Sequence, residues 1–144
     1  MNESDIATTF DFQDGNGPVA AHRHRNPDGT KGGWVADTAR VSGNARVSGN
    51  AQVFDTARVY GNARVYGNAW VSGNARVAGT ARVSGHAWVY GTAWVFGTAL
   101  VTGNARVYGD AGVYGTARVS GDAQVYGTAL VSGDARVSEG EVTK

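Results

Sequence analysis

Two groups of side chains in this sequence can do chemistry. His22 and His24 stand two residues apart, which puts both rings on one face of a strand, where they could hold a metal or an anion. His86 stands alone, and the 144 residues contain no cysteine. Zinc needs three or four ligands in tight geometry, and a general base needs a pocket and an orienting partner. Neither need is met, so no catalytic residue, no metal site and no cofactor is assigned. His86 is read as a tolerated variant of a turn otherwise built on Asn or Thr, and His22-Arg23-His24 as part of a cap. The second group recurs at regular spacing. Arg40, Arg46, Arg58, Arg64, Arg76 and Arg82 can hold a phosphate or an acidic protein surface. Trp70, Trp88, Tyr90, Tyr108, Trp94 and Phe96 can form an apolar contact, since aromatic residues are enriched in interface cores.

The spacing of these residues comes from a six-residue word, as in "GNARVYGNAWVSGNARV" at residues 61–77. Valine stands at every sixth position from Val35 to Val137, and alanine at every sixth from Ala39 to Ala135. Six steps of about 100° turn each valine about 120° from the last on a helix, so the period fits no helix face. Within the word, Ala-x-Val-x alternates as a half-buried strand does. The pair that follows, mostly Gly-Asn, Gly-Thr or Gly-Asp, supplies a corner, because Gly accepts positive φ and Asn and Asp accept it better than most residues. Three words close a triangular coil of 18 residues, with Val and Ala filling a narrow prism and successive coils stacked as parallel strands.

These words resemble the hexapeptide-repeat family, whose pattern is aliphatic, x, x, x, small, x. The resemblance implies an all-β fold, a single-stranded left-handed parallel β-helix, here a triangular solenoid of about 5–6 coils. The unbroken V-x-G-[NTD]-A-x form, entered through "GGWVADTARV" at residues 32–41, is similar to uncharacterised loopless members of phages and prophages. Many members of the family are acyltransferases, with loops extruded from the coils, a catalytic histidine, a C-terminal helix and clefts between the subunits of a trimer. This chain has loopless coils and seven residues after Val137, so the resemblance supplies no activity.

Four segments follow. Residues 1–9 are a flexible N-terminus; residues 10–34, with both prolines and several turn pairs, are an N-terminal cap; residues 35–138 are the β-helix; residues 139–144 are a C-terminal tail, too short to cover a coil. The acidic N-terminus leads into no apolar run long enough for a signal peptide or a membrane span. The expected location is host cytoplasm or a virion, with no membrane partner.

Positions 18 apart sit one above another, so the variable letters form columns. Arg46, Arg64 and Arg82 share one face, and Arg40, Arg58 and Arg76 the adjoining one, where Trp94, Gly112 and Leu130 follow. Trp34, Gln52, Trp70, Trp88, Arg106 and Gln124 share the third. Stacked like charges destabilise by roughly 0.2–1 kcal/mol each. Asp37 and Asp55 around the corner, and guanidinium stacking on Tyr60 and Tyr66, are expected to compensate; the alternative is an anionic partner. The reading is a non-catalytic structural or binding module for protein assembly, as a homo-oligomer, with a trimer suggested by the resemblance, or with another protein. The alternatives are a nucleic-acid or nucleotide-binding protein, including one that counters host defence, using the Arg columns, and then a hexapeptide acyltransferase.

The inside and outside letters are tested by two neighbouring substitutions. Ala81→Leu should destabilise by roughly 1–3 kcal/mol through overpacking, whereas Arg82→Leu should stay within about ±0.5 kcal/mol. Thermal melts that rank them the other way exchange the two sets.

Overall fold

A computed structural model describes residues 9–13, 15 and 17–144. The flexible segment expected at residues 1–9 therefore lies, except for Thr9, outside the described residues. The described chain is all-β and holds no helix, hence none long and apolar enough to cross a membrane. Strands β1 (Thr9–Asp11), β2 (Pro18–Arg25) and β3 (Lys31–Ala36) come first. Two-residue strands follow in every word from Arg40–Val41 to Arg136–Val137, and Glu141–Val142 is the last.

The short strands form a parallel β-solenoid of about six turns, 18 residues each. Its first face pairs β3 with the strands starting at Gln52, Trp70, Trp88, Arg106 and Gln124 and ends on Glu141–Val142. The second face carries the strands starting at Arg40, Arg58, Arg76, Trp94, Gly112 and Leu130. The third carries those starting at Arg46, Arg64, Arg82, Leu100, Arg118 and Arg136. Register is strict: Arg58 pairs with Arg76 and Val59 with Val77, and each pair repeats one coil on.

The interior is the prism that the alternation predicts. Val47 to Val125 and Ala51 to Ala129, at their six-residue spacing, are closed off from solvent almost without exception. Burying one valine contributes about 1.5–3 kcal/mol relative to leaving it exposed. The alanines are as fully closed off as the valines, so a larger side chain in their place would overpack the prism.

Each corner glycine has φ between 59° and 69°, and from Gly43 to Gly115 its neighbour's N–H donates to the corner glycine carbonyl of the next coil at 2.8–2.9 Å. A Cβ built on Gly103 would lie 2.7 Å from the Gly121 nitrogen. Both the left-handed backbone and the close approach therefore demand glycine here. The second corner residue does not share the positive φ, contrary to the role expected of Asn and Asp there. Threonine serves as well, its hydroxyl donating to the glycine carbonyl of the next coil, as Thr98 does to Gly115 at 2.9 Å. Asp55 takes a glycine site at φ 59°, and its carboxylate accepts the Gly73 N–H at 3.0 Å.

The segment before the coils is a three-stranded antiparallel meander that extends the first face, with Phe10 opposite Val19 and Arg23 opposite Trp34. β3 belongs to both parts, antiparallel to β2 and parallel to Gln52–Val53. The ideal Cβ of Gly33 falls 2.0 Å from the Ala51 carbonyl, so only glycine lets β3 cross the first coil. Asn26, buried, accepts the Val47 N–H at 3.0 Å and so caps the third face. In the turn, Thr30 donates through its N–H and hydroxyl to Asp28 at 3.1 and 2.7 Å, which holds that carboxyl below its usual range. At the other end, the residues assigned to a tail continue the sheet: Val142 pairs with Val125, and the Tyr126 N–H donates to the Val142 carbonyl at 2.9 Å. One residue fewer separates Val137 from Val142 than separates earlier valines, because the last word lacks its alanine.

Gly103→Ala should lower stability by about 1–3 kcal/mol, the cost of a side chain in a left-handed conformation. Gly133→Ala, at φ 61° but with nothing within 4 Å, carries the backbone cost without the clash and should lose less. Chemical denaturation of the two variants measures the difference.

Candidate functional site

The repeat fixes what the outer surface can present. On the first face, aromatic rings meet edge to face or face to face from the cap to the last coil. Phe10 stacks on Trp34 with centroids 4.7 Å apart, and Phe12 on Phe54 at 4.8 Å. Phe54 meets Trp70 edge-on at 5.9 Å, and Trp70 stacks on Trp88 at 4.8 Å with planes 8° apart. Trp88 meets Tyr90 edge-on, and Tyr90, Tyr108 and Tyr126 stack at 4.8 and 4.9 Å. The stacked coil pairs keep the spacing of the strands, so Trp70 lies on Trp88, and Tyr90 on Tyr108, one coil away. The Tyr126 hydroxyl donates to Glu141 at 2.8 Å, and this bond raises its pKa. Burial raises that of Tyr90.

The expected interface residues therefore divide. Trp70, Trp88, Tyr90 and Tyr108 lie on the first face, half-buried within its ladder. Trp94 and Phe96 lie on the second, where Trp94 is 49 % exposed and Phe96 stacks on Tyr114 at 5.0 Å. Phe10 and Phe12 join the first ladder although the sequence reading left them in the cap. Their signal is two aromatic residues at strand spacing, i and i+2, pointing the same way as Phe54.

Arg40, Arg58 and Arg76 stack on the second face, and Arg46, Arg64 and Arg82 on the third, as the columns require. All are exposed except the half-buried Arg46. None has an ion pair to a described residue. The compensation expected of Asp37 and Asp55 is absent: Asp37 pairs with His22 at 2.8 Å and Asp55 with the Gly73 N–H. Nor do arginines stack on Tyr60 or Tyr66, which project from the other side of the valine, one column away. The guanidinium finds the ring in its own column one coil off: Arg76 lies 5.3 Å from Trp94 and Arg106 5.1 Å from Trp88. Both contacts are attractive by about 0.5–1 kcal/mol at exposed sites.

Among the described residues, two concavities lie beside these columns. A groove of about 570 Å³ runs beside the first face, walled by the edges of Trp70 and Trp88 and by the corner residues Asn50, Asn68, His86 and Asn104. The His86 ring has no hydrogen-bond partner among the described residues, so nothing orients it as a base. The second concavity, about 300 Å³, is a notch on the second face where Ala78 stands between Tyr60 and Phe96, with Arg76 and Trp94 beside it.

His22 and His24 separate. His22 is exposed and bound to Asp37, whereas His24 sits half-buried where β2 bulges, its Nε2 without a partner. Burial pushes the His24 pKa down, against a hydrogen bond to the Ala45 backbone that pulls it up. Among the described residues no three His, Asp or Glu side chains converge on one point.

A family profile described as YdcK Beta solenoid repeat matches residues 39–54, 57–73 and 123–139, the same six-residue words that build the coils. No curated protein and no solved structure matches the chain. The chain is thus a β-solenoid repeat protein, similar in its coils to that family.

Because His24 is held below its ordinary value of about 6.5, the unfolded chain takes up the proton first as pH falls. Stability should therefore drop below about pH 6.5 and the loss should continue until the folded pKa is passed. Melts at pH 8 and pH 5 should differ less for His24→Gln than for the wild type; an equal difference removes His24 as the source.

Proposed function

We propose that this chain is a non-catalytic binding module that meets a protein surface with its second face. One observation carries the proposal. The exposed large apolar side chains, Tyr60 at 38 %, Trp94 at 49 % and Leu130 at 63 %, all stand on that one face of the three. Exposed apolar residues scattered singly mean little, but a contiguous patch with a notch at its centre is what contact surfaces offer. The first face differs: Trp70 stacks on Trp88, Trp88 also carries Arg106, and Tyr108 lies between Tyr90 and Tyr126, so its rings are half-buried within the ladder and offer a partner less. The unbroken repeat and its resemblance to loopless phage and prophage members support such an origin, with the module acting in host cytoplasm or in a virion.

A second reading rests on the six arginines without ion pairs, which suit a polyanion such as nucleic acid. Base stacking does not strengthen it, because Trp70 and Trp88 lie against each other and Trp88 also carries Arg106.

Three immobilised proteins separate the readings: wild type, Trp94→Ser with Leu130→Ser, and Arg64→Ser with Arg82→Ser. Protein retained from extract supplemented with free copies of the chain should fall only for the second-face variant, and equal retention by all three overturns the proposal. Labelled oligonucleotide titrated at two salt concentrations tests the second reading. Binding that weakens steeply with salt, and is lost with Arg64 and Arg82, would establish it instead.

A further inference from the structure

We infer that the occupant of the second face is a second copy of this chain, laid antiparallel across a two-fold axis that runs along the strands between Arg76–Val77 and Trp94–Val95. The inference rests on the reading of this face as a protein-binding surface and adds the partner and its register.

The face has six strands at equal spacing, starting at Arg40, Arg58, Arg76, Trp94, Gly112 and Leu130. A two-fold axis along the strands reverses their order and sets each outer column against itself. Arg76 then meets Trp94 of the second copy, a contact each copy already makes internally at 5.3 Å. Ala78, the floor of the notch between Tyr60 and Phe96, receives Phe96 of the second copy. Arg58 faces the bare Gly112, whose missing side chain leaves a gap only partly filled by Leu130, 3.1 Å from the ideal Cβ. Large meets small at two levels, Arg58 with Gly112 and Ala78 with Phe96, while Tyr60 faces Tyr114 and Arg40 faces Leu130; each column meets itself, as a two-fold contact requires.

Charge selects this arrangement over a parallel one. The half of the face nearer the N-terminus holds Arg40, Arg58 and Arg76. Asp37 and Asp55 on its border are engaged with His22 and the Gly73 N–H. The other half has no cation on the face and is bordered by Asp110 and Asp134, which accept from the Thr92 and Thr116 hydroxyls. Antiparallel copies bring Arg58 to the level of Asp110. Parallel copies, as in a trimer about the rod axis, bring every arginine level with itself, and opposed like charges destabilise. Six strands about 4.8 Å apart and some four residues wide make a small contact, of the size that weak and transient pairs bury.

The absence of cysteine makes the register testable. In the antiparallel pair Ser42 lies opposite Ser132 of the second copy, while the two Ser42 residues are about five coils, roughly 24 Å, apart. A short bismaleimide should link Ser42→Cys to Ser132→Cys when the two proteins are mixed, and should link neither variant to itself. Sedimentation of the wild type, raised to about 200 μM so that a weak pair of this contact size is populated, should shift toward twice the chain mass. Ala78→Arg, which fills the notch from an outward position, should return it to one chain mass with an unchanged melt, and Trp94→Ser with Leu130→Ser should do the same. A wild-type monomer at that concentration, or self-linking of Ser42→Cys alone, overturns the inference. Those results leave the binding-module reading standing wherever the second-face variant still fails to retain a partner; equal retention removes both.

Discussion

The structure depends on one repeated contact, the approach of a corner backbone to the corner directly above it. The Asn68 N–H reaches the Gly85 carbonyl at 2.8 Å, and the ideal Cβ position of Gly67 lies 3.1 Å from the Gly85 nitrogen. Backbone groups must be paired when they leave water, and here pairing is reached where glycine stacks on glycine, with Asp55 over Gly73 as the exception in the left-handed position. That requirement sets the 18-residue turn. The turn in turn sets every vertical column, including the columns of arginine that would otherwise be avoided. The coil tolerates these charges because alternate columns of rings and hydroxyls lie between them and because the guanidiniums stay in solvent.

The three faces answer the same constraint in different ways. The first spends its aromatic residues on itself, from Phe10 in the cap to Tyr126 beside Glu141, and becomes the stiff spine of the rod. The third is largely arginine and serine, its arginines mostly exposed. The second changes character halfway, from Arg76 to Trp94, and keeps its apolar groups exposed. A sequence free to vary only in two letters of six has written three different surfaces.

Legibility followed the same division. Val, Ala and Gly were readable because each satisfies a local demand that no other residue meets: volume inside the prism for the first two, positive φ for the last. Column membership was readable because it is arithmetic on the period. Ring orientation was not, since whether Trp88 turns its face toward Trp70 or toward solvent is decided by what stands one coil away, a contact 18 residues distant. The same holds for Asp37, whose partner is His22 in the cap rather than the neighbouring arginines. The closing strand at Glu141–Val142 escaped because its word is one residue short and breaks the pattern by which the others were recognised. Tyr60, Trp94 and Leu130 were visible as letters, but their joint exposure on one face depends on Ala78 and Gly112 between them, small residues whose effect is on their neighbours.

The threefold phase of the coil also governs how such a gene can change length. Duplication of a single word adds six residues, which is harmless to the prism, since Val and Ala stay in step. It nevertheless rotates everything downstream by one face: Trp94 would move off the arginine column, and Tyr90 would no longer lie beneath Tyr108. Duplication of three words adds a whole coil and leaves each column intact. Replication slippage can therefore lengthen this rod without scrambling its surfaces only in steps of 54 base pairs, three per residue of the 18-residue turn set by the pairing of Val59 with Val77.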